Sequence, residues 1–329
     1  MYRSLHAQHD RLALTRPFRI ARGVKSAADV ITVTLRAGQA VGRGEGVPYP
    51  RYGESVESAL AAVEGVRAAL ENGAGREQLL SMLPAGAARN AVDCALWDLE
   101  ARRSARDVAT MLNTAAPSRV ASALTIVIDF PEAMAAAAAR VADAPLLKIK
   151  VDAAHPEAQI RAVRRAAPDC ALIVDPNESW DRALLEAMQP VLVEAGVALL
   201  EQPVPAGGDD WLESFAPAIP ICADESFHIA EDLRHVARRY QAVNVKLDKT
   251  GGLTAAIEIA RAARSAGLML MTGCMVSSSL SIAPALHLAG LSDFVDLDGP
   301  LWLAKDRDGG VRNESGMLLP PLAGFWGTA

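Results

Sequence analysis

Eight charged residues in this sequence carry amine or carboxylate chemistry at nearly regular intervals. They are Lys148 and Lys150 in KIK, Asp175 in VDPNES, Glu201 in LEQP, Asp224 in ADES, Lys246 in NVKLDKTGG, and Asp296 and Asp298 in DLDGP. The steps from 150 through 175, 201 and 224 to 246 are 25, 26, 23 and 22 residues, and 246 to 298 is 52, or two such steps. Lysine amines can exchange protons once their environment tunes them. Clustered carboxylates repel unless a cation sits among them, and an all-oxygen donor set suits Mg²⁺. Neither Cys nor His belongs to the set, which disfavours zinc. Amines combined with such a cation suit removal of a proton α to a carboxylate, with the cation neutralising the enediolate that forms.

Such spacing needs a repeating scaffold. From residue 118 onward, short apolar runs alternate with helix-like stretches rich in Ala and Arg. The runs are ALTIVI, LLKIKV, ALIVDP, VALLEQP, PICADES, AVNVKL, LMLMTGC and FVDLDGP. Eight strand-like runs with seven helix-like spacers predict a parallel sheet closed into a barrel. The eighth run leads into LWLAKDRDGG rather than a long helix, so the expected α/β fold is a (β/α)7β TIM-type barrel over 118–302. Each charge then falls at the C-terminal end of a strand, where this fold carries its active site. Any one charged strand residue is ordinarily a solvated edge or a structural ion pair. Parallel barrel strands, however, are buried on both faces, and unpaired buried charge is very costly. Eight such residues in phase therefore mark a candidate site.

Strand order supplies geometry. Asp175, Glu201 and Asp224 lie on the third, fourth and fifth strands, which are neighbours. Lys150 and Lys246 lie on the second and sixth, which face each other across a ring of eight. Lys148 and Lys150 are two apart and point the same way. A neighbouring ammonium and a divalent cation both favour the neutral amine of Lys150, fitting it for a base. The eighth strand faces the fourth, which sets Asp296 and Asp298 across the mouth from Glu201.

The first 117 residues read differently, as an α+β domain. VITVTLRAG alternates and ends in glycine, and AVGRGEGVPYP follows as a second strand and turn. SVESALAAVEGVRAALENG and ARNAVDCALWDLEARR carry apolar residues at helical spacing, with Val92, Leu96 and Leu99 on one side of the latter. Residues 1–117 are thus expected to form a cap on the barrel, and 303–329 to pack back on that cap.

KIKVD, DPNESW, LEQPVP, ADES, VNVKLDKTGG, GCM and DLDGP together resemble the enolase superfamily, muconate-lactonizing-enzyme subgroup. Within it the chain is similar to the L-Ala-D/L-Glu dipeptide epimerases, and PYPRYGES, LPAGAARNAVDCALWDL and PLWLA extend the likeness over nearly the whole length. The resemblance implies that Asp175, Glu201 and Asp224 bind one Mg²⁺. It implies that Lys150 and Lys246 are the two acid/base groups, accompanied by Lys148. It assigns Asp296 and Asp298 to the α-ammonium of a dipeptide. In close relatives an arginine after the ARG of FRIARG meets the substrate's side-chain carboxylate, and here that place falls on Lys25, which lacks the bidentate fork. Thr125 matches a substrate-lining position or is an ordinary strand threonine. Asn177 shares a loop with Asp175 and is placed beside the metal. Ser277, with Ser278 and Ser279, either contacts substrate or caps the next helix.

The implied activity is epimerisation of L-Ala-D-Glu and L-Ala-L-Glu in murein peptide recycling. A racemase of N-acylated amino acids, a dehydratase, a lactonizing lyase and a non-catalytic metal-binding barrel remain alternatives; an N-acyl substrate would offer the DxD pair no ammonium. Composition agrees with a small-molecule enzyme. The 329 residues carry 33 basic and 39 acidic side chains, a formal charge of −6, with no basic stripe for nucleic acid. Cys94, Cys170, Cys222 and Cys274 lie far apart and fit a reducing cytoplasm. No apolar run reaches the ~18 residues of a membrane span, and MYRSLHAQHDRLALTRPF holds no apolar signal core. A homo-oligomer is left open. GRGEG at 42–46 lacks a following helix and reads weakly as a phosphate loop. Cys274 has no evident His partner.

Overall fold

Strand residues that alternate between two partners build the N-terminal part. In the computed structural model, which describes residues 3–328, β1 (Ser4–Ile20), β2 (Gly23–Ala37) and β3 (Ala40–Gly46) form an antiparallel sheet in that order. On β2, Ile31, Val33 and Leu35 pack beneath the helices, whereas Ala28 and Val30 pack with Met275 and Leu303 from the other end of the chain. The helices are α1 (Val56–Gly65), α2 (Arg67–Glu71), α3 (Arg76–Met82), α4 (Ala87–Ser104) and α5 (Val108–Leu112).

Helix α4 is buried along 14 of its 18 residues, as expected of a helix with neighbours on every side. Val92, Leu96 and Leu99 face the sheet as the spacing predicts, while Cys94, Trp97 and Ala101 join the barrel's core. The helix can lie this close to β3 because Gly42, Gly44 and Gly46 present no side chain: a Cβ at any of them would overlap the α4 backbone at Ala95, Ala91 or Ala87. The glycines of GRGEG therefore serve strand–helix packing and not a phosphate.

After β4 (Val120–Ala121) come eight parallel strands: β5 (Leu124–Ile126), β6 (Leu146–Lys150), β7 (Ala171–Asp175), β8 (Val197–Glu201), β9 (Ile221–Ala223), β10 (Ala242–Val245), β11 (Met269–Gly273) and β12 (Phe294–Asp296). Each pairs with its sequential neighbour. The ring closes between its ends through Ala123 N–H to Val295 O at 2.8 Å and Leu297 N–H to Ser122 Oγ at 2.9 Å. Ala123, Leu146, Ile173, Leu199, Cys222, Ala242 and Met271 fill the interior. Two positions further along these strands stand Thr125, Lys148, Asp175, Glu201, Asp224, Asn244 and Gly273. The strand period of two thus stacks a polar layer on an apolar plug.

The outer helices are α6 (Pro131–Ala139), α7 (Pro156–Ala166), α8 (Arg182–Glu194), α9 (Leu233–Arg239), the short α10 (Leu247–Thr250), α11 (Leu253–Ser265) and α12 (Ser279–Ala289). One connection departs from the expected alternation. Between β8 and β9 there is only a 3-10 helix, Asp210–Ser214. Pro203, Pro205, Gly207, Gly208, Pro217 and Pro220 in that stretch deny a helix its amide donors and helical backbone. After β12 a 3-10 turn, Gly299–Trp302, stands where an eighth helix would be. Beyond it, β13 (Arg312–Glu314) pairs with β14 (Met317–Leu319), and β14 pairs with β4. Trp326 Nε1 donates to the Arg43 and Cys94 carbonyls, and Arg307 pairs with Asp10 and Glu45. The C-terminal stretch therefore touches both parts of the molecule. The outermost residues, 1, 2 and 329, lie outside the described structure.

Candidate active site

Four side chains from β6, from β10 and from the residue just after β10 meet carboxylates at the strand ends. Lys150 Nζ donates to Asp175 Oδ2 at 2.5 Å. Lys148 Nζ lies 3.1 Å from Asp175 Oδ2, 2.6 Å from Glu201 Oε2 and 2.8 Å from Asp296 Oδ2. The contact to Glu201 is an ion pair without a directed hydrogen bond. Lys246 Nζ donates to Asp224 Oδ2 at 2.7 Å, and Asn244 Nδ2 donates to Glu201 Oε1 at 2.9 Å. Asp175 and Glu201 are fully buried and Asp224 nearly so.

Burial and mutual repulsion set the charges. Burial pushes Glu201 up, and Asp175 adds to the push against the pull of Lys148. Burial acts on Asp175 and Asp224 in the same sense, but the lysines win and hold both below the usual carboxylate range. Burial alone would lower Lys148 and Lys246; the surrounding carboxylates outweigh it and raise both. For Lys249, burial prevails over the attraction of Asp224 and the net direction is down.

Lys150, Lys246 and Lys148 line one cavity of about 230 Å³, together with Asp224, Asp296, Asp298, Thr125, Lys25 and Asn177. The strand positions expected to oppose each other thus converge on a shared space. Asp298 accepts from Thr125 N–H at 2.8 Å and from Trp302 Nε1 at 3.3 Å. Burial, then Asp296, raise its carboxyl to about 6. Neither aspartate is consumed by Arg307, which pairs with Asp10 and Glu45 instead. Lys25 reaches the cavity from β2, its Nζ 4.6 Å from the centre of the Tyr49 ring. Asn177 has left-handed backbone (φ 48°), donates its N–H to Asp175 Oδ1 and leaves a buried Oδ1 without a partner.

Ser277 is a correction. It does not line the cavity; it is fully buried, with its hydroxyl donating to the Met275 carbonyl at 3.1 Å. Ser278 caps α12, accepting from Leu280 N–H, and bonds Glu45. The serine run thus follows its capping alternative, because the chain turns into α12 before these hydroxyls reach the mouth.

The sequence reading also passed over residues that the fold brings in. Arg22, at the turn between β1 and β2, bonds the Asn177 carbonyl, Glu178 and Glu225. Tyr49 and Glu225 line the same cavity, beside Tyr52, whose capping loop the sequence marks with that of Lys25. The motifs DPNES and ADES contained the two glutamates. The period of two assigns Glu225 to the opposite side from Asp224, but β9 ends at Ala223 and releases it toward the mouth.

Hard oxygen donors suit a divalent cation. Asp175, Glu201 and Asp224 offer three buried carboxylates on adjacent strands, and Glu201 Oε2 and Asn177 Oδ1 lack a hydrogen-bond donor. The residues fit such an ion chemically. As they stand, no group of three Asp, Glu, His or Cys among the described residues is closed into a metal cluster, since lysine ammoniums act as the counter-ions.

Barrel, cap and strand-end charges define an enzyme with its site at the C-terminal mouth of a (β/α) barrel. Residues 3–113 match the model of the mandelate racemase / muconate lactonizing enzyme N-terminal domain, and 132–323 match the enolase C-terminal domain-like model. The chain belongs to the enolase superfamily, in that family, and is an isomerase of the racemase and epimerase type. It is 48% identical to the L-Ala-D/L-Glu epimerase of Escherichia coli K12 over 304 residues, covering 92% of this chain and 95% of that one. It is 42% identical to an N-acetyl-D-glutamate racemase of Pseudoalteromonas over 302 residues, covering 91% and 96%. A crystal structure of an enolase family member from Agrobacterium tumefaciens, with homology to dipeptide epimerases and bound sodium and L-Ala-L-Glu, superposes with a TM-score of 0.96 at 45% identity, covering 99% of this chain and all of that one. Among the described residues, no helix is long and apolar enough to cross a membrane.

Proposed function

We propose that this chain is a dipeptide epimerase that interconverts L-Ala-D-Glu and L-Ala-L-Glu. The observation that carries this is the placement of Lys150 and Lys246, from the second and sixth barrel strands, on one cavity that also holds Asp296 and Asp298. One lysine takes the α-proton from one face of the substrate and the other returns a proton to the opposite face. Asp296 and Asp298 receive the dipeptide's α-ammonium, and Thr125 lines the pocket beside them. Lys148 holds Asp175, Glu201 and Asp296 in register. Lys25 meets the Glu side-chain carboxylate. Asp175, Glu201 and Asp224 would hold one Mg²⁺, with Asn177 beside it. When bound, that ion supplies positive charge to offset what develops on the substrate carboxylate as its α-proton leaves. Relatives solved with Mg and dipeptides support a divalent cation in such a site. The activity suits recycling of murein peptides in the cytoplasm.

The Pseudoalteromonas relative favours a second reading, racemisation of N-acetylglutamate. An N-acetyl group carries no cation, so it would leave Asp296 and Asp298 without a charge to bind. The test is α-proton exchange by NMR in D₂O with Mg²⁺, on a dipeptide panel and N-acetylglutamate. Exchange and epimerisation of L-Ala-D-Glu are expected. Exchange with N-acetylglutamate alone would replace the dipeptide reading. Lys150→Ala and Lys246→Ala should each reduce net epimerisation by about 10²-fold or more, while each keeps exchange of the one epimer whose α-hydrogen faces the surviving lysine.

A further inference from the structure

Each of the three strand-end carboxylates has one oxygen pinned and one turned to Lys148, Lys150 or Lys246. The pinning groups are the Asn177 N–H on Asp175 Oδ1 at 2.8 Å, Asn244 Nδ2 on Glu201 Oε1 at 2.9 Å, and Lys249 Nζ on Asp224 Oδ1 at 2.6 Å. The oxygens left over, Asp175 Oδ2, Glu201 Oε2 and Asp224 Oδ2, are those that meet the other lysines.

Lys249 differs from those lysines. Its Nζ also donates to the carbonyls of Asp224 at 2.6 Å and Asn244 at 2.8 Å. None of the three acceptors carries a proton, so Lys249 supplies all three hydrogens, the full complement of an ammonium. Its side chain is 0% exposed and it does not line the cavity. The turn that carries it is clamped by α4: Asn90 Nδ2 bonds Asp248 Oδ1 at 2.8 Å, and Arg89 bonds the carbonyls of Thr250 and Gly251.

We propose that Lys249 is a positioning residue for the reaction: it locks the Asp224 carboxylate with Oδ1 turned away, so that Oδ2 alone is offered to Lys246 and to a divalent cation. This rests on the reading of Asp224 as part of the cation site. Lys249 touches neither substrate nor cation and acts through Asp224. The capping helix α4 thereby fixes the geometry of a carboxylate on the barrel through the turn it holds.

The test titrates the full-length protein with Mn²⁺, followed by electron paramagnetic resonance, for the wild type, Lys249→Gln and Lys249→Met. The Mg²⁺ dependence of α-proton exchange is measured alongside. Removing a group that orients a ligand costs about ten- to a hundredfold in metal affinity. Both variants should therefore bind Mn²⁺ that much more weakly, and the Mg²⁺ midpoint of exchange should rise by the same factor. Turnover should largely recover at saturating Mg²⁺, because Lys150 and Lys246 are intact. A purely structural role would lower the unfolding midpoint but leave the Mn²⁺ affinity of the folded protein unchanged, and that result would overturn the proposal. Failure of both variants to fold in Mg²⁺ would overturn it too, making Lys249 a core group. A wild type that binds no Mn²⁺ would remove the cation reading itself, and this inference with it.

Discussion

Arg22, at the tip of the β1–β2 hairpin, places Nη2 2.6 Å from Oε1 of Glu225, the residue after Asp224. The same guanidinium lies 2.9 Å from Glu178 Oε2, and Arg51 grips both oxygens of that glutamate. Two barrel loops are thereby tied to the cap beside the cavity lined by Lys150 and Lys246. Burial, then Asp224, push the Glu225 carboxyl up to about 7 against the pull of Arg22. Arg22→Met removes the pull and the tether together. We expect KM to rise about tenfold or more with a smaller change in kcat, given that truncating one partner of a buried charge pair costs about 2–5 kcal/mol and Arg22 is only partly buried. Steady-state kinetics on L-Ala-D-Glu checks this; an unchanged KM would show that the tether does not shape the pocket.

Lys25 governs substrate choice on this reading. A charged hydrogen bond contributes about 1.5–3 kcal/mol, so Lys25→Ala should lower kcat/KM for Glu-ended dipeptides about ten- to a hundredfold while sparing neutral ones. Lys25→Arg should sharpen the preference for Glu, since a guanidinium grips a carboxylate with two parallel bonds. Comparing L-Ala-Glu with L-Ala-Gln separates the two effects.

His287 on α12 makes stability fall with acid. Burial lowers its imidazole from 6.5 to about 4, and its Nδ1 has no partner. The folded chain therefore holds it neutral while the unfolded chain takes up a proton first. Its contribution is complete above the unfolded value of 6.5 and is lost as pH falls toward about 4, amounting to about 3 kcal/mol. Urea denaturation at several pH values should show this slope, and His287→Leu should flatten it. His228, also lowered to about 4 by burial and Lys249, adds a slope of the same sign that the variant retains.

Gly44→Ala tests the strand–helix contact. Its Cβ would overlap the Ala91 carbonyl of α4, and backbone cannot swing aside as a side chain can. Overpacking of this kind costs about 3 kcal/mol. A marked drop in the unfolding midpoint is expected, whereas Gly53→Ala, with open space around it, should lose less.

Much of the site was legible because barrel geometry turns spacing into position. Once the eight apolar runs are strands, the period of two puts Lys148, Lys150, Asp175, Glu201 and Asp224 inward and on top of Leu146, Ile173, Leu199 and Cys222. Spacing alone misjudged the β8–β9 connection, where prolines and glycines replace a helix, and it left the role of Ser277 open between substrate and cap. Lys249 sat in a recognised motif without a role, since three residues past Lys246 says nothing of what its ammonium meets.

The sequence by itself determined the order of strands and the ring of charges at their ends, because both follow from local periodicity along one chain. Only the tertiary structure decided which charges meet: Arg22 with Glu225, Asn244 with Glu201, Lys249 with Asp224, Arg307 with Glu45. Those pairs join segments up to 262 residues apart, and a buried charge takes as its partner whatever side chain the packing of cap on barrel carries within about 3 Å of it.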